Sequence, residues 1–138
     1  SGCMYRNRAL YVPDVQFVNH EEINAADVIA WASPTYSATK RLGIEDPAWN
    51  SVCLSARISF IFDVAEAEKV DCLVLGAFGC GAFGQTTEEV AEQMFYEMKH
   101  HNIPHIIYAV PDYQSRNYIV FEEADRKEKA AEAVRKSE

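Results

Sequence analysis

A chain of 138 residues, 49% of them apolar or aromatic, corresponds to one domain with enough apolar surface to bury a core. Acidic residues outnumber basic ones 21 to 13, and the net charge of −8 argues against a nucleic-acid groove, whose footprint is a basic stripe. No apolar run approaches the roughly 18 residues of a membrane span, and no charged start leads into an apolar signal segment.

Cys3, Cys53, Cys72 and Cys80 are scattered without C-x-x-C spacing. The expectation is a reduced, cytoplasmic compartment, with neither a zinc site nor a disulfide framework.

In chain order, Leu10 to Val18 reads as an edge or irregular strand, because Pro13 interrupts it. Asp27 to Ala32 is short and apolar, consistent with a buried strand. Lys40 to Asn50, with Gly43 and Pro47, reads as a polar loop. From Ser51, the residues Leu54, Ile58, Ile61, Phe62 and Ala65 recur at helical spacing and predict an amphipathic helix. Cys72 to Phe78 predicts a second buried strand. Thr86 with Glu89 three residues later forms a capping-box signature, and Val90, Met94, Phe95 and Met98 then share one helical face. His105 to Val110 predicts a third buried strand. The tail from Glu122 mixes both charge signs and suits a solvated helix docked by Phe121 and Ala124. Buried strands separated by helices imply a parallel sheet with helices on its faces.

The chemistry concentrates after the second of these strands, where four of the six glycines fall, at Gly76, Gly79, Gly81 and Gly84. In open α/β sheets, ligands bind in the crevice at the carboxyl ends of the strands. Glycine there permits positive φ and close approach of a ligand to the backbone. Free loop N–H groups and the helix dipole then make an anion site suited to phosphate. A tight strand-to-helix turn that uses glycine for geometry alone is the plainer alternative.

Gly79-x-Gly81-x-x-Gly84 formally matches a dinucleotide fingerprint, but the next strand ends near Asp112, later than that fold requires. No Gly-Lys-Ser/Thr follows, which excludes a P-loop. Cys80 near a helix N-terminus is a candidate nucleophile, although a small residue between glycines also serves for space alone.

Elsewhere, His20, His100, His101 and His105 lack metal-ligand spacing. Tyr108, Tyr113, Tyr118 and Phe121 suit core packing better than an adenine platform. Trp31 reads as core, and Trp49 as a loop residue that could line a cleft.

The stretch Val74-Leu-Gly-Ala-Phe-Gly-Cys-Gly-Ala-Phe-Gly, followed by Glu88-Glu-Val-Ala-Glu, resembles the signature of microbial-type poly(ADP-ribose) glycohydrolases. Flanking pieces resemble the same family in the same order: Tyr11-Val-Pro-Asp-Val-Gln-Phe-Val, Asp27-Val-Ile-Ala-Trp-Ala-Ser-Pro, Arg57-Ile-Ser-Phe-Ile and His105-Ile-Ile-Tyr-Ala-Val. The resemblance covers residues 5–121 of a single domain, with 122–138 as the charged C-terminal helix. It implies an N-terminally truncated macrodomain, a three-layer α/β/α sandwich with a mostly parallel sheet. It also implies that Gly76, Gly79, Cys80, Gly81, Ala82, Phe83 and Gly84 hold the diphosphate of ADP-ribose, with Phe83 against the ribose beyond it. Ser33, Pro34 and Thr35 would join that pocket.

Two departures from the family pattern matter. The family's catalytic segment is a Gly-Gly-Gly run followed by Gln-Glu-Glu; this chain contains neither a Gly-Gly pair nor Gln-Glu-Glu. Its acidic pairs, Glu21-Glu22, Glu88-Glu89 and Glu122-Glu123, have a different context, so no catalytic residue is assigned. Ser33-Pro34-Thr35 stands where the family tends to carry Ala-Pro-Asn.

The expectation is therefore a module that binds ADP-ribose or a related nucleotide diphosphate, without a cofactor or metal, and without membrane or nucleic-acid binding. An active glycohydrolase completed by a missing segment, and a structural domain with a non-binding loop, are the alternatives. Unpaired strand edges predict either a homodimer or a sheet that closes on itself.

Overall fold

The computed structural model describes residues 6–138; Cys3 and the first residue of the family resemblance, Tyr5, lie outside them. The chain begins with an antiparallel hairpin of β1 (Ala9–Asn19) and β2 (Glu22–Trp31). Its register slips between Val12 and Val15. Pro13 has no N–H to give to the ladder there, and Asp14 adopts a left-handed φ of 55°. The Asp27 carboxylate ties the bulge down, accepting the Asp14 N–H at 2.9 Å and the Tyr11 hydroxyl. β2 is longer than the stretch beginning at Asp27, and most of it is exposed, because only one face of the hairpin reaches the core through Ala9, Ile29 and Trp31.

Thr35 caps α1 (Tyr36–Arg41), a turn and a half of helix where loop was expected at its end. α2 (Pro47–Ala67) starts four residues before Ser51. Asp46 is its N-cap, accepting the Trp49 N–H at 3.0 Å, with Pro47 at the first helical position. Trp49 is therefore an exposed helical residue and not part of a loop.

β3 (Cys72–Leu75) and β4 (His105–Tyr108) pair in parallel, Cys72 opposite His105 through Leu75 opposite Tyr108. Both stop short of the expected Phe78 and Val110. Each is covered on one face only: Leu73 and Leu75 are buried, whereas Val74 and Ile107 are 59% and 53% exposed.

Between them runs α3 (Thr87–His100). Thr86 occupies the N-cap but makes no side-chain cap bond, so the capping box does not form; the Thr87 hydroxyl instead bonds the Asn117 side chain at 2.6 Å. α4 (Arg116–Ser137) begins six residues before Glu122, capped by Ser115, and docks through Phe121 and Ala124 as its sequence predicts.

Leu54, Ile58, Ile61 and Phe62 of α2 and Val90, Ala91, Met94 and Phe95 of α3 close over Leu73 and Leu75. Each fully buried aliphatic or aromatic side chain of this kind contributes about 1.5–3 kcal/mol. The mixed α/β character is as expected, and α2, α3 and α4 all contribute to one core cluster. Among the described residues one strand pair is antiparallel and one is parallel, so they do not by themselves show a mostly parallel sheet. Nor does the sheet close on itself, for no hydrogen-bonded ladder joins β2 to β3. No helix among the described residues is long and apolar enough to cross a membrane.

Candidate functional site

The glycine-rich segment follows the carboxyl end of β3. It leaves the strand at Gly76 and reaches the N-cap of α3 at Thr86. Its glycines divide into two kinds. Gly79 and Gly84 both have φ of +75°, which an L side chain rarely adopts. A Cβ on Gly79 would lie 2.2 Å from the Ser33 hydroxyl and 2.7 Å from Gln85 Cγ, and one on Gly84 would lie 3.0 Å from Ser37 Cβ. These two glycines are required by packing against the 33–37 segment. Gly81 is different: its φ is not positive and a Cβ there would meet nothing within 4 Å. The expectation of backbone strain thus holds at Gly79 and Gly84 and fails at Gly81.

The loop is stitched internally by Cys80 N–H to Ala77 O, Gly84 N–H to Gly81 O and Gln85 N–H to Gly79 O. From outside, the Ser37 N–H donates to Phe83 O at 3.0 Å and the Ser37 hydroxyl to Ala82 O at 2.6 Å. Beneath it, the buried amides of Asn50 and Gln85 exchange hydrogen bonds at 2.9 and 3.1 Å, and Gln85 also donates to Pro34 O at 2.6 Å. These bonds consume carbonyl groups and leave donors. The N–H groups of Phe78, Gly79, Gly81, Ala82 and Phe83 have no hydrogen-bond acceptor among the described residues. A row of unspent amides next to a helix N-terminus can receive an anion.

The other predicted residues fall around this loop. Ser33 and Pro34 are buried, and the Ser33 hydroxyl donates to Pro34 O at 3.1 Å, so they back the loop from behind. Thr35 is half-buried at the N-cap of α1, with a side chain that makes no cap bond. Phe83 stands 36% exposed at the rim. Phe78 stacks on Trp31, ring centroids 4.6 Å apart, which ties the loop to the end of β2.

Burial pushes the Cys80 thiol up from its ordinary value; a bond with Thr87 opposes this and the nearby Glu88 charge adds to it. That direction is opposite to the lowered pKa that activates a nucleophilic thiol. Glu88 and Glu89 occupy the first turn of α3, where Glu88 pairs with Arg116. Tyr108 and Phe121 belong to the core: Tyr108 stacks on Phe95 at 4.7 Å and packs against Phe121 at 5.6 Å. Tyr113 is exposed.

Sequence reasoning did not find Ser37, Asn50 and Gln85. Asn50 left one trace, a polar residue one turn ahead of Leu54 on the apolar stripe of α2. Arg57 also lies on that stripe; it is buried and donates to Ala32 O and to the Asn7 side chain at 2.9 Å, fixing the chain as it leaves β2.

No protein-family model matches the sequence, and no curated protein matches it significantly. Solved structures do match. Poly(ADP-ribose) glycohydrolase from Deinococcus radiodurans in complex with ADP-ribose superposes with a TM-score of 0.83 at 20% identity, over 91% of this chain and 55% of that one. Its apo form gives 0.83 at 21% identity over 91% and 56%. The enzyme from Thermomonospora curvata gives 0.74 at 23% identity, over 88% and 48%. The described chain thus has the fold of microbial poly(ADP-ribose) glycohydrolases and spans about 55% of the length of the Deinococcus structure.

Proposed function

We propose that this chain binds ADP-ribose or a closely related nucleotide diphosphate, with the diphosphate on the 78–83 amides. The observation that carries this reading is the set of unspent N–H groups of Phe78, Gly79, Gly81, Ala82 and Phe83. The fold shared with an enzyme solved in complex with ADP-ribose supports the choice of ligand. In this reading Gly79 and Gly84 hold the loop's shape, Gly81 lets the ligand reach the backbone, and Phe83 lies against the ribose. Gly76 gives the turn out of β3, while Cys80 fills space. Ser33 and Pro34 support the loop, and Thr35 offers its hydroxyl to the sugar.

Hydrolysis is not part of the reading, because a glycosidase needs a positioned carboxyl group and this chain has no Gln-Glu-Glu segment to supply one. Calorimetric titration with ADP-ribose tests binding, with an expected Kd in the micromolar range or weaker. One observation favours a second reading, a loop that binds nothing: packing against Ser33 and Ser37 accounts for Gly79 and Gly84 without any ligand. Absence of heat and of a thermal shift at millimolar ADP-ribose would establish that second reading.

A further inference from the structure

Three arginines, Arg6, Arg8 and Arg57, line a single cavity of about 280 Å³, with Ala32 between them. No described residue lining it is acidic, and the sequence carries no acidic residue before Asp14. In a chain of net charge −8 this is a local reversal of sign. Elsewhere Lys99, Arg116, Arg126, Lys129, Arg135 and Lys136 are all spent on carboxylates. Neither Arg6 nor Arg8 forms an ion pair among the described residues.

The cavity is held by α2. Arg57 is 1% exposed; its Nε donates to Asn7 Oδ1 at 2.9 Å and its Nη1 to Ala32 O. Both acceptors are neutral, so neither offsets the charge, and a buried charge is costly without compensation. Asn7 in turn donates to Ala56 O at 3.4 Å. Two bonds to α2 therefore fix the residue between Arg6 and Arg8, and keep those two exposed side chains at the cavity. Guanidinium forks match the oxygens of phosphate and carboxylate alike. Three positive charges without an acidic neighbour favour the doubly charged phosphate over a singly charged carboxylate. Ala32 lies between Trp31, which stacks on Phe78, and Ser33, which abuts Gly79. The cavity thus adjoins one end of the glycine loop but takes no lining residue from it.

We propose that Arg6, Arg8 and Arg57 form a second anion site, separate from the glycine loop, that binds a phosphate group. Arg6 and Arg8 grip the oxygens, while Arg57 anchors the wall and adds its charge. The phosphate is inorganic, or is carried by a nucleotide in addition to its diphosphate. The site does not depend on diphosphate binding at the loop.

Titration of the chain with inorganic phosphate at low ionic strength, followed by NMR of the arginine Nε–H groups, tests it. Saturable shifts are expected at Arg6, Arg8 and Arg57, with a Kd of about 1 mM or tighter, and added salt should weaken them. Acetate at equal concentration should leave them unchanged. Arg6→Gln/Arg8→Gln is expected to weaken phosphate binding at least about tenfold while keeping a cooperative melt. Should the pair not fold, the two single variants serve the same comparison. Lys40→Gln/Arg41→Gln removes the same charge from the end of α1 and should have no such effect. Comparing ADP-ribose with ADP-ribose 2′-phosphate identifies the source. Tighter binding of the phosphorylated nucleotide, lost in Arg6→Gln/Arg8→Gln, assigns the site to a nucleotide. Equal binding of the two, with inorganic phosphate still shifting the arginines, assigns it to the free anion. Phosphate shifts confined to the 78–83 amides, or no arginine shift at tens of millimolar phosphate, would overturn the proposal. So would equal shifts with acetate, or equal weakening by Lys40→Gln/Arg41→Gln.

Discussion

The two kinds of glycine in the 76–85 loop make a paired substitution informative. Gly79→Ala places a side chain at φ +75° and 2.2 Å from the Ser33 hydroxyl. The left-handed conformation alone costs about 1–2 kcal/mol, and displacing Ser33 and Gln85 adds to it. A loss of about 2–4 kcal/mol is expected, within the range seen for strained or overpacked sites. Gly81→Val meets neither obstacle, since nothing lies within 4 Å of its Cβ. Its stability should stay within about 0.5 kcal/mol of the parent. If the loop amides hold a diphosphate, however, the branched side chain stands where the ligand approaches, and ADP-ribose affinity should fall at least tenfold, about 1.4 kcal/mol. Urea unfolding and calorimetric titration of the three proteins separate the effects. A folded Gly81→Val protein with parental affinity would refute the placement of the diphosphate, and a stable Gly79→Ala protein would refute the packing argument.

Asn50→Leu leaves the Gln85 carbonyl buried without its donor, and stability should fall by about 1–3 kcal/mol in urea unfolding. His101 gives a pH dependence. Burial lowers its pKa, but the bond to Asp63 at 2.9 Å and the bond to the Glu97 carbonyl at 3.0 Å, with the charge of both carboxylates, outweigh this and raise it above 6.5. Both ring nitrogens face acceptors, so the protonated ring is the favoured form. The sign follows from linkage: this contribution is complete below the unfolded value and is lost as pH rises through the raised folded value. The melting temperature of the parent should therefore exceed that of His101→Asn more at pH 5.5 than at pH 8.5; a difference independent of pH would contradict it. The pure chain should release no ADP-ribose from poly(ADP-ribose), since a positioned acid supplies about 10²- to 10⁴-fold. Robust release would point to an unrecognised carboxylate such as Glu21 or Glu22.

What the sequence revealed depended on how local the controlling physics was. The stripe from Leu54 to Ala65 and the face from Val90 to Met98 were legible because helical periodicity resides in neighbouring residues. Phe121 and Ala124 likewise marked the docking face of α4. The starts of α2 and α4 were legible in principle, since Asp46-Pro47 and Ser115 are good helix caps, but the loop composition around them concealed the signal. The β1–β2 hairpin was not legible: Glu22 to Ala26 has little strand character, and the two central residues of its turn, His20 and Glu21, are neither glycine nor asparagine. At the site, the clustering of glycines was visible at once. Their division into Gly79 and Gly84 on one side and Gly81 on the other was not, because it depends on Ser33 and Ser37, brought against the loop from more than 40 residues away. The Asn50–Gln85 amide pair is hidden for the same reason.

The central claim is that the backbone of the 78–83 segment receives a diphosphate, and amide-resolved NMR during an ADP-ribose titration tests it most directly. The largest shifts should fall on the amides of Phe78, Gly79, Gly81, Ala82 and Phe83, inorganic pyrophosphate should reproduce them at higher concentration, and adenosine should not. Saturable binding whose shifts lie elsewhere, or no shift in these amides at millimolar ADP-ribose, would contradict it.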